Sequence, residues 1–169
     1  MPELPDVTIY IEAIAARVVG QPLLAYSILS PFILRTVDPS LDALVGRAVT
    51  RVERLGKRIV IGFEGELFVV IHLMIAGRFR WIDAGARKKV PARIALAEFE
   101  FATGTLVLTE AGTKRRASLH VVQGRADLAQ FDRGGLELLD ATLAEFAERL
   151  ARENHTLKRS LTDRSESVV

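Results

Sequence analysis

Between Leu23 and Val122 the apolar residues recur at close to every second position, in short runs punctuated by glycine and proline. The runs are Leu23 to Leu29, Ala48 to Leu55, Arg58 to Phe63, Leu67 to Leu73, Arg78 to Ile82, Arg93 to Phe101, Thr105 to Thr109 and Ser118 to Val122. A period of two puts alternate side chains on opposite faces of an extended strand, a pattern that a helix with 3.6 residues per turn cannot use. No helical pattern separates the runs, and parallel strands need a crossover of a dozen or more residues. An antiparallel sandwich or barrel-like body is therefore expected. Glu64-Gly65 and Thr103-Gly104 read as hairpin turns within it.

Helical spacing is confined to the flanks. Val7, Ile11, Ile14 and Val18 lie on one face of a helix that Asp6 is placed to cap, running to about Val19 with Gly20 to end it. After Gly134-Gly135 the pattern changes again: Asp140 reads as the N-cap of a helix to about Asn154, with Leu143, Phe146, Ala147 and Leu150 in one stripe. Thr156 to Thr162 reads as a further short helical turn, and the tail from Asp163 is expected to fray. The fold class is α+β: an antiparallel β-sandwich of about eight strands with an N-terminal helix, followed by a short helical C-terminal segment.

A chain near 150 residues buries about 68–70% of its unfolded surface, so the 169 residues here support one principal core. With 49% hydrophobic and 26% charged residues, disorder is excluded as the general state. The absence of cysteine excludes disulfides, thiolate nucleophiles and Cys-ligated zinc within these residues. Met1 to Asp6 carries two prolines and two acids where a signal peptide needs a basic region and an apolar run. The longest apolar stretch, Leu67 to Ala76, falls well short of the roughly 20 residues that span a bilayer. The expectation is a soluble, cytoplasmic protein with no membrane partner.

The net charge of +2 conceals an uneven distribution, since residues 51–125 hold fourteen Lys and Arg against seven Asp and Glu while both flanks are net acidic. A polyanion would bind the middle of the chain, including Arg87-Lys88-Lys89 and Lys114-Arg115-Arg116. Strands showing ordinary solvated charges give the same count, and charge alone leaves both readings open.

The first residues carry a specific chemical possibility. Removal of Met1 leaves Pro2 with a secondary α-amine, whose pKa near 7.7–8.0 is typical of chain termini and leaves a useful neutral, nucleophilic fraction without burial. Such an amine attacking a sugar C1′ collapses to an iminium ion and acidifies the C2′ proton, and Glu3 next in sequence is positioned to move protons. For an arbitrary chain, Pro-Glu-Leu-Pro merely stiffens the approach to a helix.

Met1-Pro2-Glu3-Leu4-Pro5-Asp6-Val7, followed by an amphipathic helix, resembles the opening of the formamidopyrimidine-DNA glycosylase/endonuclease VIII family, which usually has Glu at the place of Asp6. Arg54-Leu55-Gly56-Lys57-Arg58 resembles that family's lysine turn, and Val70 to Arg78 is similar to its His-Leu-Gly-Met-Ser-Gly segment. The resemblance implies a base-excision repair DNA glycosylase that removes oxidised or ring-opened bases and then nicks the abasic strand, with damaged double-stranded DNA as partner. It makes Pro2 the Schiff-base nucleophile, Glu3 the general acid/base, and Lys57 and His72 phosphate contacts. Without it, Lys57 reads as a solvated hairpin lysine and His72 as a satisfied sheet histidine. Residues 1–125 then correspond to the family's β-sandwich domain and 126–169 to the start of a helix-two-turn-helix domain, expected to be truncated because six unrelated residues follow Asp163.

Two departures from the family stand out. An enzyme that everts a nucleotide fills the vacated gap with side chains. Family members use a Met together with an Arg and a Phe from an Asp-Pro-Arg-Arg-Phe-Gly loop. Ile75 falls where the wedge Met is expected, and Thr109 to Ser118 is two residues longer and lacks the Phe, leaving Arg115 or Arg116 to reach the orphaned base. The family's four-Cys zinc finger has no counterpart, so no metal or other cofactor is expected in this chain, and the missing half is expected to be supplied elsewhere. Alternatives are an impaired remnant that keeps the fold and weak DNA binding, and a protein-binding β-domain with a decorative N-terminus.

Overall fold

The computed structural model describes residues 3–86, 90–112, 114–132 and 141–151. Residues 1–128 form one compact unit and 129–169 a second.

The first unit begins with α1 (Leu4–Val18), followed by β1 (Ala25–Ile28), β2 (Val49–Leu55), β3 (Arg58–Phe63), β4 (Leu67–His72), β5 (Gly77–Asp83), β6 (Ala95–Phe101), β7 (Gly104–Glu110) and β8 (Ser118–Gln123). All pairings are antiparallel, in two four-stranded sheets ordered β1-β6-β7-β5 and β2-β3-β4-β8. The eight alternating runs are these eight strands. Ile59, Ile61, Ile71, Leu119 and Val121 from one sheet, and Phe99, Phe101, Leu106 and Leu108 from the other, are buried in one hydrophobic cluster. Each such side chain contributes about 1.5–3 kcal/mol by leaving water.

Val7, Ile14 and Val18 are buried on α1 and Ile11 packs at the edge of the core, so the expected stripe faces inward and seats the helix against β2. The helix begins earlier than its Asp6 suggests. Glu3 is the N-cap and Pro5 occupies the first turn, where a missing N–H costs no hydrogen bond. Asp6 sits at N3 instead, its carboxylate accepting the Glu3 backbone N–H at 3.0 Å, so it braces the cap from inside. The 102–104 turn also shifts: Phe101 pairs with Gly104, placing Ala102-Thr103 at the tip and Gly104 in β7. A Cβ at Gly104 would lie 2.3 Å from the Ile82 carbonyl oxygen and 2.8 Å from the Trp81 ring. That glycine is there for close packing of β5 on β7.

Sequence periodicity gives no sign of the short elements. One-turn 3₁₀ helices at Pro31–Ile33 and Leu41–Leu44, and the six-residue α2 (Gly124–Ala129), are too brief to show a period. Residues 34–36 run along the free edge of β8: Leu34 bridges Leu119, the Arg35 N–H donates to the Leu119 carbonyl at 2.9 Å, and the Val121 N–H donates to Thr36 Oγ1 at 2.7 Å. An edge covered in this way is closed to a foreign strand.

In the second unit, α3 (Leu143–Ala151) starts later than the Asp140 reading. Thr142 caps it by accepting the Glu145 N–H at 3.3 Å, while Glu145 accepts the Thr142 N–H at 2.7 Å. This is a reciprocal capping box, and it holds the Glu145 carboxyl below its usual pKa. Leu143, assigned to the apolar stripe, is 82% exposed. Asp140, Asn154 and the 156–162 turn lie outside the described residues.

Candidate nucleic-acid interface

The strand registers bring the sequence-assigned residues to one end of the sandwich. Arg58 pairs with His72 and His72 with Ser118, so the β2–β3 turn, the end of β4 and the start of β8 share one rim of their sheet. In the other sheet Gly77 pairs with Glu110, so β5 starts where β7 ends. The chain crosses between sheets three times, through the long 29–48 segment and through the short 73–76 and 111–117 segments. The two short crossings sit at this rim, which therefore holds Lys57, His72, Ile75, Arg115 and Arg116.

Lys57 owes its position to a two-residue turn closed by the Leu55–Arg58 pair. Gly56 has φ +57 and Lys57 does not share the positive φ, the pattern of a type II′ hairpin, which needs glycine first. Lys57 Nζ donates to Glu3 Oε2 at 3.3 Å, tying the turn to the N-cap of α1 across 54 residues. Glu3's side chain is 61% exposed, so the ion pair contributes only about 0–1 kcal/mol. Its value is in placing a carboxylate and an ammonium side by side on an open surface. Pro2 itself lies outside the described residues. Asp6, which accepts the Glu3 N–H, also lines a hollow of about 230 Å³ with Ile9, Tyr10 and Arg78.

The 73–76 crossing is tight. The Gly77 N–H donates to the Leu73 carbonyl at 2.9 Å, and a Cβ on Gly77 would lie 2.3 Å from that same oxygen, which only glycine permits. Met74 adopts φ +54, a left-handed conformation that costs an L-residue with a side chain about 1–2 kcal/mol. Arg78 steadies the turn by donating through Nη1 to the carbonyls of Ile75 at 3.2 Å and Gly77 at 2.7 Å. Ile75 is left 59% exposed at the tip.

The 111–117 crossing is held from beneath. Glu110 is 2% exposed, and its carboxylate accepts the Arg116 N–H at 3.1 and 3.0 Å and the Ala117 N–H at 3.2 Å. A buried carboxylate is tolerated when backbone donors replace its water, and hydrogen bonds to a charged group contribute about 1.5–3 kcal/mol each. The sequence places Glu110 merely at the start of a loop; burial makes it the anchor. Arg116 thus has its backbone fixed and its side chain outside. Arg115 donates through Nη2 to the Arg93 carbonyl and lies along the neighbouring segment.

Three rim residues carried no signal in sequence. Phe32 is 82% exposed on the turn preceding the β8 edge segment. Arg35 and His120 share the β8 side of the sheet. Burial pushes the His120 imidazole pKa down, and the charges of Arg58 and Arg35 add to that effect.

A family model of the formamidopyrimidine-DNA glycosylase N-terminal domain matches residues 1–119. The chain belongs to the formamidopyrimidine-DNA glycosylase family. Among curated formamidopyrimidine-DNA glycosylases, that of Heliobacterium modesticaldum is 29% identical over 171 residues, covering 98% of this chain and 61% of its own. That of Mycoplasma genitalium is 28% identical over 143 residues, covering 83% of this chain and 49% of its own. The chain thus spans about half to three-fifths the length of these relatives. A solved complex between the Lactococcus lactis glycosylase and an abasic site containing DNA superposes with TM-score 0.82 at 20% identity, over 98% of this chain and 62% of that one. A structure of MutM with carbocyclic 8-oxo-G containing DNA gives 0.81, also at 20% identity, over 98% and 63%. At such identities the likeness establishes the fold: the α1-flanked, eight-stranded sandwich is that of this glycosylase family's N-terminal lobe.

Among the described residues no group of His, Asp or Glu is arranged to hold a metal. With no cysteine in these residues, a four-Cys zinc site does not fit this chain. Among the described residues no helix is long and apolar enough to cross a membrane.

Proposed function

We propose that this chain is the catalytic lobe of a base-excision DNA glycosylase with associated AP lyase activity, acting on oxidised or ring-opened bases in double-stranded DNA. The observation that carries the reading is the Glu3–Lys57 pair at 3.3 Å, one residue from the amine-bearing position and on an exposed rim. The Pro2 nitrogen attacks C1′ as the glycosidic C–N bond breaks, and the base departs with a proton. Ring opening of the sugar yields an iminium between Pro2 and C1′. Glu3 takes the C2′ proton, the C3′–O bond breaks, and the strand is released with its phosphate; water then hydrolyses the Schiff base and restores Pro2.

Lys57 and His72 hold the flanking phosphates through this sequence, Lys57 as a compact cation and His72 as a ring N–H donor. Ile75 fills the gap left by the everted nucleotide. Arg116, with its backbone pinned by Glu110, faces the orphaned base more directly than Arg115, whose guanidinium is engaged by Arg93. A further helical half, which the longer relatives have room for, supplies the remaining phosphate contacts, and the protein works in the cytoplasm where it meets chromosomal DNA.

Borohydride trapping tests the reading. Met-processed protein mixed with abasic-site DNA is expected to form a reduced covalent adduct that is lost in a Pro2→Gly variant blocked at its N-terminus. A folded, processed sample that gives no adduct while still binding DNA reduces the chain to a non-catalytic remnant.

A further inference from the structure

Glu110 is the residue at which the two short sheet-to-sheet crossings meet. Leu106 and Leu108 of β7 lie in the core, and the alternation of the strand turns Glu110 the same way. Its carboxylate therefore closes the rim end of the core, where it accepts the Arg116 N–H at 3.1 and 3.0 Å and the Ala117 N–H at 3.2 Å. Ala117 belongs to the same core, so its N–H sits where water cannot replace a lost acceptor. The backbone of Glu110 serves the other crossing. It pairs with Gly77, whose N–H closes the Ile75 turn on the Leu73 carbonyl at 2.9 Å. On the β6 side the Glu110 N–H donates to the Ile94 carbonyl at 2.8 Å, next to the Arg93 carbonyl that takes the Arg115 guanidinium. Arg116 is left exposed above the carboxylate.

We propose that Glu110 is a positioning residue for recognition of the base opposite the lesion. Its carboxylate sets the height and direction at which Arg116 leaves the rim, and its backbone keeps that loop in register with the Ile75 turn, although Glu110 itself touches no nucleic acid. A carboxylate is required because two N–H donors converge on it. An amide in its place offers one oxygen and turns an NH₂ group toward the Arg116 N–H, so the loop must move. The proposal rests on the reading of Arg116 as the group that faces the orphaned base, and adds that this preference is set from inside the core.

The test is single-turnover cleavage, by the full Met-processed chain, of four duplexes carrying an abasic site opposite C, A, G or T. Borohydride trapping on a single-stranded abasic oligonucleotide, which has no opposite base, runs beside it. The wild type is expected to prefer one opposite base by about tenfold, as a single arginine-to-base contact allows. Glu110→Gln and Arg116→Gln each bring that preference to within about twofold of equality, and the double variant goes no further because both act through one contact. All four proteins trap the single strand at similar rates per folded molecule. A purely structural Glu110 would slow every duplex alike, and the folded fraction cancels because each ratio is taken within one preparation. Should Glu110→Gln fail to fold, Glu110→Asp, which withdraws the carboxylate by one methylene, is read in the same way. Glu110 variants that keep the wild-type ratios while Arg116→Gln loses them overturn the proposal and leave the reading of the rim intact. Unchanged ratios in Arg116→Gln, or a wild type without preference, overturn it together with the role given to Arg116. No adduct from the wild type on any substrate removes the catalytic reading as well.

Discussion

The two ends of the sandwich solve the same problem differently. At one end the chain turns back within a sheet, through 64–66 and through Ala102-Thr103, and side-chain bonds to segments distant in sequence close each reversal. Arg47 donates to the Glu64 carbonyl at 3.2 Å, Glu64 accepts the Ala48 N–H at 3.2 Å, and Gln21 donates to Thr103 at 2.9 Å. At the other end, beside the Gly56-Lys57 hairpin, the chain also passes between sheets, and there it accepts a left-handed Met74, a buried Glu110 carboxylate and an exposed Ile75. A left-handed non-glycine residue occurs at each end, Glu66 with φ +55 and Met74 with φ +54, and what sets the Glu3–Lys57 rim apart is the buried Glu110 side chain and the exposed Ile75. A buried carboxyl is retained where backbone donors surround it, as Arg116 and Ala117 surround Glu110.

The sharpest separation between the ends is chemical. Glu3→Gln is expected to slow strand cleavage on abasic DNA by about 100-fold or more, the lower range for a positioned general acid/base, while shifting unfolding free energy by less than about 0.5 kcal/mol, as for exposed ion pairs. Single-turnover cleavage alongside urea unfolding measures both, and a rate within a few-fold of wild type would break the functional side of the contrast. Next come the two close-packed glycines. Gly77→Ala and Gly104→Ala each drive a Cβ to 2.3 Å from a carbonyl oxygen, so both should lose about 2–3 kcal/mol, as overpacking does. Only Gly77→Ala, which displaces the Ile75 turn, should also weaken binding to abasic-analogue duplex. Equal losses of affinity would erase the distinction between the ends.

Smaller still is Met74→Gly, which should stabilise the fold by about 1 kcal/mol by removing the left-handed penalty, read from the urea midpoint. The last is a pH effect. His120 has its pKa lowered in the folded state, so the unfolded chain binds more protons as pH falls through the ordinary imidazole range near 6.5, and stability drops there as acidity rises. Thermal unfolding at pH 7 and pH 5 should show that loss, and His120→Gln should flatten it; an unchanged slope in the variant would assign the loss to other groups.

What the sequence made legible follows from where a pattern has length to repeat. Eight strands and α1 were readable because period two and period 3.6 each persist over several residues, and the three motif segments sit on elements whose register then gathers them. Helix starts were read less well, since Asp6 and Asp140 are good caps by type while Glu3 with Pro5, and Thr142 with Glu145, satisfy the first-turn donors in the actual geometry. Long-range placement left no local trace: nothing near Glu110 signals that its carboxylate meets Arg116 and Ala117, nor does anything near Arg35 signal the β8 edge.

Because the 111–117 passage lies beyond the last ladder pairs of β7 and β8, residues can be added or removed in it without breaking a single ladder pair. The contact surface of such a lobe is free to drift in length and chemistry while the barrel of strands beneath it stays in register, so recognition and folding evolve on separate accounts.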